Sequence, residues 1–93
     1  MLSKEKLQEV KGEILGLLYK HYPERFFTNA VAKYAERDEE LVKRLLFELL
    51  KAKLVEMEAQ GELASRKRLK WCMTRAAKAT YDRKQKQEKG EFS

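Results

Sequence analysis

The segment FTNAVAKYAERDEELVKRLLFELLKAKLV, residues 27–55, decides the fold of this chain of 93 residues. In its second half, apolar side chains recur at spacings of three and four residues, which is the period of an α-helix with one buried face. These side chains are Val42, Leu45, Leu46, Leu49 and Leu50. Asp38 precedes them and can cap the helix, so the pattern predicts a helix over about residues 39–52.

The first half of this segment predicts a shorter helix. Thr28 or Asn29 can cap it, and it contains the alanine-rich run at residues 30–35. The polar residues 36–38 separate it from the longer helix. Two helices joined by so short a turn are typical of a helix-turn-helix.

Another amphipathic helix is predicted upstream, over residues 4–22, and Pro23 ends it. Its apolar stripe includes Leu7, Val10, Ile14 and Leu17. Gly12 and Gly16 lie about one turn apart on this helix, and each costs about 1 kcal/mol of helix propensity relative to alanine. Either another backbone approaches closely at these two glycines, or they are simply tolerated on the helix surface.

Two strands and a last helix are predicted downstream. The run LVEMEA, residues 54–59, alternates apolar and acidic side chains after its first two residues, as a half-buried strand does. The run LKWCM, residues 69–73, is compatible with a second strand, and about nine residues join the two strands into a hairpin. Thr74 can then cap a helix over about residues 75–87.

The predicted order is helix, helix, helix, strand, strand, helix, so the fold class is mostly α with a small β-hairpin (α+β). Because stable domains usually need on the order of 50 to 200 residues, the chain has room for one. We expect this domain to span residues 1–84 and the polar residues 85–93 to form a disordered tail. No apolar run reaches the roughly 18 residues of a membrane span, and the polar N-terminus lacks a secretion signal. A cytoplasmic protein without a membrane partner is therefore expected.

The charges of the chain are distributed unevenly. The formal net charge is +6, from 21 Lys and Arg against 15 Asp and Glu. Residues 1–61 carry eleven side chains of each sign, so the whole excess belongs to residues 62–93. Such a basic segment favours a polyanionic partner. The abundance of Lys and Glu follows the trend of hyperthermophile proteins and leads us to expect an archaeal source.

The sequence contains no pattern that predicts an enzyme. A Gly-rich phosphate loop, a nucleophile elbow and a pair of catalytic carboxylates are all missing. His21 is alone and is expected on the surface. Cys72 has no second Cys or His at zinc-ligand spacing, so we expect a small buried apolar residue there. The sequence therefore predicts no catalytic residue, no metal site and no cofactor.

Residues 27–55 resemble the winged helix-turn-helix of prokaryotic transcription regulators of the MarR, ArsR and PadR kind. The residues on matching positions are Val42, Arg44, Leu46, Leu49, Leu54 and Val55. The run LKWCMTRAAKATY, residues 69–81, is similar to the second wing strand of these regulators and to the start of the helix that follows it. Lys53 departs from the pattern, because the family usually has Gly at the end of the third helix. Lys53 must either adopt a left-handed conformation or end the helix differently.

The resemblance implies a double-stranded DNA-binding protein that regulates transcription. The third helix would enter the major groove, and the hairpin, or wing, would lie along the phosphate backbone. Lys43 and Arg44 are the candidates to reach base edges, and Lys51 would help to dock the third helix. Thr28 and Asn29 would bind a phosphate at the start of the second helix. The basic cluster of the wing would bind phosphates through its charge. This wing cluster consists of Arg66, Lys67, Arg68 and Lys70.

The resemblance also implies a homodimer, because operators read by such folds are commonly two half-sites. The N-terminal helix, with Gly12 and Gly16, or the alanine-rich C-terminal helix would hold the two copies together. A regulator of this kind is expected to be cytoplasmic and associated with the nucleoid.

The third helix carries a difficulty for this interpretation. Its first turn, residues 38–40, is DEE, and three carboxylates at that end would repel phosphates, although they also complement the helix dipole. One alternative is therefore a winged-helix interaction module in a transcription or replication assembly, with Phe47 and the third helix facing a protein partner. A more remote alternative is a binder of single strands or RNA, with Trp71 and Tyr81 as stacking surfaces.

Overall fold

The computed structural model describes residues 2–60 and 68–90. Within these ranges it contains four helices and a three-stranded antiparallel sheet. In chain order the elements are α1 (Lys4–Lys20), β1 (Phe26–Phe27), α2 (Thr28–Ala35), α3 (Glu39–Lys51), β2 (Val55–Gln60), β3 (Arg68–Met73) and α4 (Arg75–Gly90). The predicted order of helices and hairpin strands is confirmed, and β1 is an addition that the sequence did not predict.

Helix α1 forms because its first turn is capped and one of its faces is apolar. The Ser3 hydroxyl oxygen accepts a hydrogen bond from the Lys6 amide at 3.2 Å, which satisfies one of the free donors at the helix start. The helix ends at Lys20, slightly before the predicted end, and His21 is exposed as expected. The buried face of α1 consists of Val10, Ile14, Leu15, Leu17 and Leu18.

The glycines of α1 do not meet another backbone within the chain. A Cβ atom built on Gly12 or Gly16 would meet no heavy atom of the described residues within 4 Å, apart from its chain neighbours and the adjacent backbone of α1 itself. Both glycines are exposed, because α1 packs on the core through the stripe that contains Val10 and Ile14. The first of the two alternatives, a close backbone approach, is therefore wrong for a single copy of the described chain.

The turn between α2 and α3 is fixed by its backbone geometry. Glu36 has a φ of 54°, in the left-handed region that commonly ends helices. The Arg37 amide then donates to the Ala32 carbonyl at 3.1 Å and closes α2. Asp38 caps α3 as predicted, because its Oδ2 accepts a hydrogen bond from the Leu41 amide at 3.4 Å.

Lys53 lies just after the end of α3 in the left-handed conformation. Its φ is 63°, a region that costs a residue with a side chain about 1–2 kcal/mol. The Leu54 amide donates to the Leu49 carbonyl at 3.0 Å and satisfies one carbonyl of the last turn. The left-handed alternative for Lys53 is therefore confirmed, and the chain turns there into β2.

Strand β3 lies in the centre of the sheet, with β1 and β2 antiparallel on either side of it. Val55 at the start of β2 pairs with Met73 at the end of β3, so the predicted hairpin is confirmed. Phe26 and Phe27 of β1 pair with the other edge of β3. Residues 61–67, which join β2 to β3, lie outside the described residues.

The core lies where helices α1, α2 and α3 meet the sheet. Each buried Leu, Ile, Val or Met stabilises the fold by about 1.5–3 kcal/mol before the entropic cost of ordering the chain. Cys72 is also buried and free, as expected. The largest fully buried side chains are Val10, Ile14, Leu18, Val31, Val42, Leu45, Leu46, Val55, Trp71 and Met73.

Helix α4 is joined to α1 by a small cluster of aromatic and charged side chains. Thr74 caps α4 as predicted, accepting a hydrogen bond from an amide of the first turn at 3.2 Å. The rings of Tyr19 and Tyr81 lie 5.3 Å apart, and the Tyr19 hydroxyl donates to Asp82 at 2.7 Å. The Lys78 ammonium also lies 2.7 Å from this carboxylate. The hydrogen bonds from Lys78 and Tyr19 lower the pKa of Asp82.

Helix α4 continues to Gly90, beyond the predicted end of the helix. Residues 85–90, which the sequence assigns to a disordered tail, are therefore helical, in keeping with the helix propensity of Gln, Lys and Glu. Residues 91–93 lie outside the described residues, and the assignment of residues 1–84 to one domain stays a prediction. No helix in the described part of the chain is long and apolar enough to cross a membrane.

Candidate nucleic-acid interface

Trp71 joins the three elements that surround the candidate interface. Its side chain is fully buried, and its Nε1–H donates a hydrogen bond to Thr28 Oγ1 at 2.8 Å. The Phe47 ring meets the indole edge-on, with centroids 5.3 Å apart and ring planes at 89°. Because Trp71 lies on β3, Thr28 begins α2 and Phe47 lies on α3, one side chain holds the base of the wing against both helices.

The start of α2 differs from the predicted one. Phe27 is the N-cap residue, instead of Thr28 or Asn29, and no side chain caps the helix. The reason is that pairing with β3 holds Phe27 extended, so the helix begins at Thr28. Within the described residues, the start of α2 therefore has no side-chain cap, and helix N-termini of this kind bind anions.

A groove of about 260 Å³ lies between the start of α2, the first half of α3 and the start of β3. The residues that line it are Phe27, Thr28, Asn29, Glu39, Lys43, Arg68 and Leu69. The structure thus brings together four predicted site residues from three separate elements. These residues are Thr28, Asn29, Lys43 and Arg68.

A shallow depression adjoins this groove along the exposed side of α3. It is lined by Asp38, Glu40, Leu41, Lys43, Arg44 and Phe47. Lys43 lines both the groove and the depression, so the two form one continuous surface, which we call the binding face. Phe47 lies one helical turn after Lys43 and therefore on the same side of α3.

The basic side chains of the binding face form no ion pair within the described part of the chain. Lys43, Arg44 and Arg68 are exposed, and no carboxylate of the described residues lies within 4.0 Å of their nitrogen atoms. Glu48 of α3 instead contacts α1, where the Lys11 ammonium lies 2.7 Å away and lowers the pKa of Glu48. One acidic charge of α3 is thus compensated by α1 instead of opposing DNA on the binding face.

The acidic first turn of α3 does lie on the binding face. Asp38 caps the helix, Glu39 lines the groove and Glu40 lines the depression. These carboxylates oppose phosphate binding at this end of α3, as the sequence indicates. The positive charges of Lys43 and Arg44 begin about one turn further along the helix.

Phe27 is a residue of the interface that the sequence did not predict. The Arg68 guanidinium lies 4.3 Å from the centroid of its ring, and the Lys70 ammonium lies 4.9 Å from the same point. Both distances are within the range of a cation–π interaction. The direct pairing of Phe27 with Lys70 across β1 and β3 explains the contact. The only signal in the sequence is the pair of phenylalanines before Thr28, because a strand of two residues has no periodicity to detect.

The other predicted residues lie away from the groove or outside the described residues. Lys51 is exposed in the last turn of α3, about two turns beyond Lys43. Arg66 and Lys67 lie outside the described residues. Trp71 is fully buried beneath α2 and α3, so the interpretation that it stacks on the bases of single strands is wrong.

Several solved structures resemble this fold. A mutant of MepR from a multidrug-resistant clinical isolate of Staphylococcus aureus aligns with a TM-score of 0.64 and 26% identity, over 81% of this chain and 56% of that chain. The S. aureus MepR–DNA complex aligns with a TM-score of 0.67 and 25% identity, over 94% of this chain and 73% of that chain. MepR is a transcription regulator of the multidrug efflux pump MepA.

This chain has the winged helix-turn-helix fold of MarR-type transcription regulators. The predicted resemblance is therefore confirmed, and these MarR-type neighbours are regulators instead of enzymes. A mutant of ZitR from Lactococcus lactis shares the fold, with a TM-score of 0.66 and 17% identity over 95% of this chain and 63% of that chain. The chain thus spans less than two thirds of the aligned MepR mutant and ZitR chains. No protein-family model matches the sequence, and no curated protein matches it significantly.

The substitution Thr28→Val tests the hydrogen bond that joins the start of α2 to Trp71 of β3. It keeps the shape of the side chain but leaves the buried Trp71 indole N–H without its acceptor, which costs about 1–3 kcal/mol of the free energy of unfolding. Urea unfolding, followed by the fluorescence of the single tryptophan, measures the loss. Thr80→Val on α4 removes only solvent-exposed hydrogen bonds with Ala76 and Arg83, so this control changes the free energy by less than about 0.5 kcal/mol. Equal stability of the two variants would contradict the anchoring role of Thr28.

Proposed function

We propose that this protein binds double-stranded DNA and regulates transcription, with α3 in the major groove and the wing on the phosphate backbone. The observation that carries this proposal is the groove in which the start of α2, Lys43 of α3 and Arg68 of β3 meet. A winged helix contacts duplex DNA with these same elements: the second helix of the helix-turn-helix enters the major groove, and its neighbours contact the backbone.

The structural neighbours support this use of the fold. One of them is a complex of MepR with DNA, and its alignment covers 94% of this chain at 25% identity. The four-helix and hairpin arrangement that carries the binding face here is therefore also present in a regulator that was captured on DNA. Regulation of transcription by this chain follows from the same likeness.

Phosphates would bind at two places on the binding face. At the start of α2, the free backbone N–H groups and the Asn29 side chain can donate to one phosphate. The Thr28 oxygen accepts from Trp71, but its hydroxyl hydrogen can still be donated. On the wing, the Phe27 ring holds Arg68 and Lys70 side by side, so their charges would act on the same stretch of backbone.

Bases would be read from the middle of α3. Arg44 is exposed there and can form two parallel hydrogen bonds with a guanine, while Lys43 can reach a neighbouring purine acceptor or a phosphate. Lys51, two turns further along, would contact the backbone beyond the groove. Because the first turn of α3 is acidic, most of the sequence-independent affinity would come from the wing and the start of α2.

Duplex DNA binding should therefore depend steeply on salt and on the wing. Filter binding to random-sequence duplexes across a salt series measures both, since each phosphate contact adds about 0.9 to the slope of log K against log salt. Replacing Arg66, Lys67 and Arg68 with Gln should weaken binding and reduce that slope by up to about 3.

The matched control for the wing replaces three exposed lysines of α1 with Gln and removes the same charge. These are Lys4, Lys6 and Lys20. This control should weaken binding far less, because α1 lies away from the groove. The proposal would be contradicted by an absence of binding at low salt, or by an equal loss in the two triple variants.

A homodimer would place two binding faces on the two half-sites of an operator. Helices α1 and α4 are the candidates to hold it. Gly12 and Gly16 leave an open surface on α1, and Ala79 and Thr80 are exposed on α4. A dimer of this kind would act on chromosomal DNA in the cytoplasm, associated with the nucleoid. An archaeal source stays a prediction.

Sedimentation equilibrium, alone and with duplex DNA, tests the homodimer. We expect a dimer for the unmodified chain and a shift to monomer for either Gly16→Lys on α1 or Ala79→Lys on α4. Both variants should stay folded, because these positions are exposed and a Cβ on Gly16 would meet nothing of the described chain within 4 Å beyond its own neighbours on α1. A monomer under all conditions, including on DNA, would contradict this part of the proposal.

A further inference from the structure

Phe47 places a large apolar side chain among the basic residues of the binding face. It is 37% exposed, and it lines the depression on α3 together with Lys43 and Arg44. Phosphate binding does not use an apolar ring, and leaving part of one exposed forfeits some of the stabilisation that burial would give. The exposed part of Phe47 therefore calls for a different explanation from its basic neighbours.

The Phe47 ring is held in a fixed position on the protein. Its contact with Trp71 has the edge-to-face geometry that aromatic pairs prefer, with centroids 5.3 Å apart and planes at 89°. Trp71 is itself fixed by the hydrogen bond to Thr28. Since the ring is already ordered, a ligand that contacts its exposed part loses little side-chain entropy on binding.

We propose that Phe47 reads the 5-methyl group of thymine in the major groove. This inference rests on the proposed function, because it requires α3 to enter the major groove of duplex DNA. Among the groups that bases present there, the thymine methyl is the apolar one, and phenylalanine is among the residues that contact it. The specificity that follows is for a thymine next to the base or phosphate bound by Lys43 and Arg44.

The charges around Phe47 favour DNA over a protein partner at this place. Lys43 and Arg44 line the same depression, and Lys51 lies one turn beyond Phe47 on α3. Phe47 therefore has a basic side chain one turn before it and another one turn after it, whereas Asp38 and Glu40, which line the same depression, lie two turns or more before it. A protein partner at Phe47 is the competing possibility, and the experiment distinguishes the two.

The test compares duplexes that contain thymine with the same duplexes that contain deoxyuridine, which pairs identically but lacks the methyl group. Duplexes are first selected by the protein from a random-sequence library and then re-amplified with either dTTP or dUTP. The unmodified protein should bind the deoxyuridine duplexes about three- to fivefold more weakly for each methyl that it contacts. Filter binding at fixed salt measures the difference.

Three variants assign the discrimination to Phe47. Phe47→Ala should bind the thymine and deoxyuridine duplexes equally. Phe47→Leu retains an apolar side chain and should keep part of the discrimination. This variant can still test the proposal if the alanine variant fails to fold. Tyr34→Ala removes an aromatic ring that is 57% exposed on α2, away from the depression, and should discriminate as the unmodified protein does.

The failure of this inference and that of the proposed function would look different. Equal binding of thymine and deoxyuridine duplexes by the unmodified protein, with salt-dependent affinity intact, would overturn the methyl reading alone. Discrimination that persists in Phe47→Ala would also overturn it. The same holds if Phe47→Ala no longer binds a purified protein partner of the unmodified protein but still discriminates thymine from deoxyuridine. No binding to any duplex at low salt would overturn the proposed function itself.

Discussion

The buried indole of Trp71 is the interaction on which the rest of the binding face depends. An indole N–H that is removed from water must have an acceptor, since leaving it unpaired costs about 1–3 kcal/mol. Thr28, the first residue of α2, provides that acceptor. The same indole packs against Phe47 of α3. One buried side chain thus joins the wing strand to the start of α2 and to α3.

The acidic and basic side chains of the binding face lie on different parts of the fold. The acidic first turn of α3 stabilises the helix through the Asp38 cap and the helix dipole, and it stands on the binding face where it opposes phosphates. Glu48 is turned to Lys11 of α1. The basic charges on the face come from the middle of α3 and from β3, where the Phe27 ring supports Arg68. Under the proposed function, the wing would supply most of the affinity and the centre of α3 most of the specificity.

Much of the fold could be predicted from local signals, because these depend on residues close together in the chain. The apolar stripe predicted α3 correctly, and the side-chain caps at Asp38 and Thr74 are confirmed.

What could not be predicted depends on contacts between distant residues. The pairing of Phe27 with β3 creates β1 and moves the start of α2, and Trp71 meets Thr28 only in the folded chain. The possibility of a close approach at Gly12 was wrong for a single copy because helix propensity says nothing about which face a neighbour covers. Individual site residues were named through the family resemblance, but their convergence on one groove required the structure.

An NMR titration of the ¹⁵N-labelled protein with duplex DNA tests the binding face most directly. The backbone amide signals of Asn29, Lys43, Phe47 and Arg68 should shift together as DNA is added, because these residues line the groove and the depression that adjoins it. The amides of Gln8 and Glu13 on the exposed side of α1 should stay in place. Shifts confined to α1 or α4, with the binding face unchanged at saturating DNA, would contradict the account.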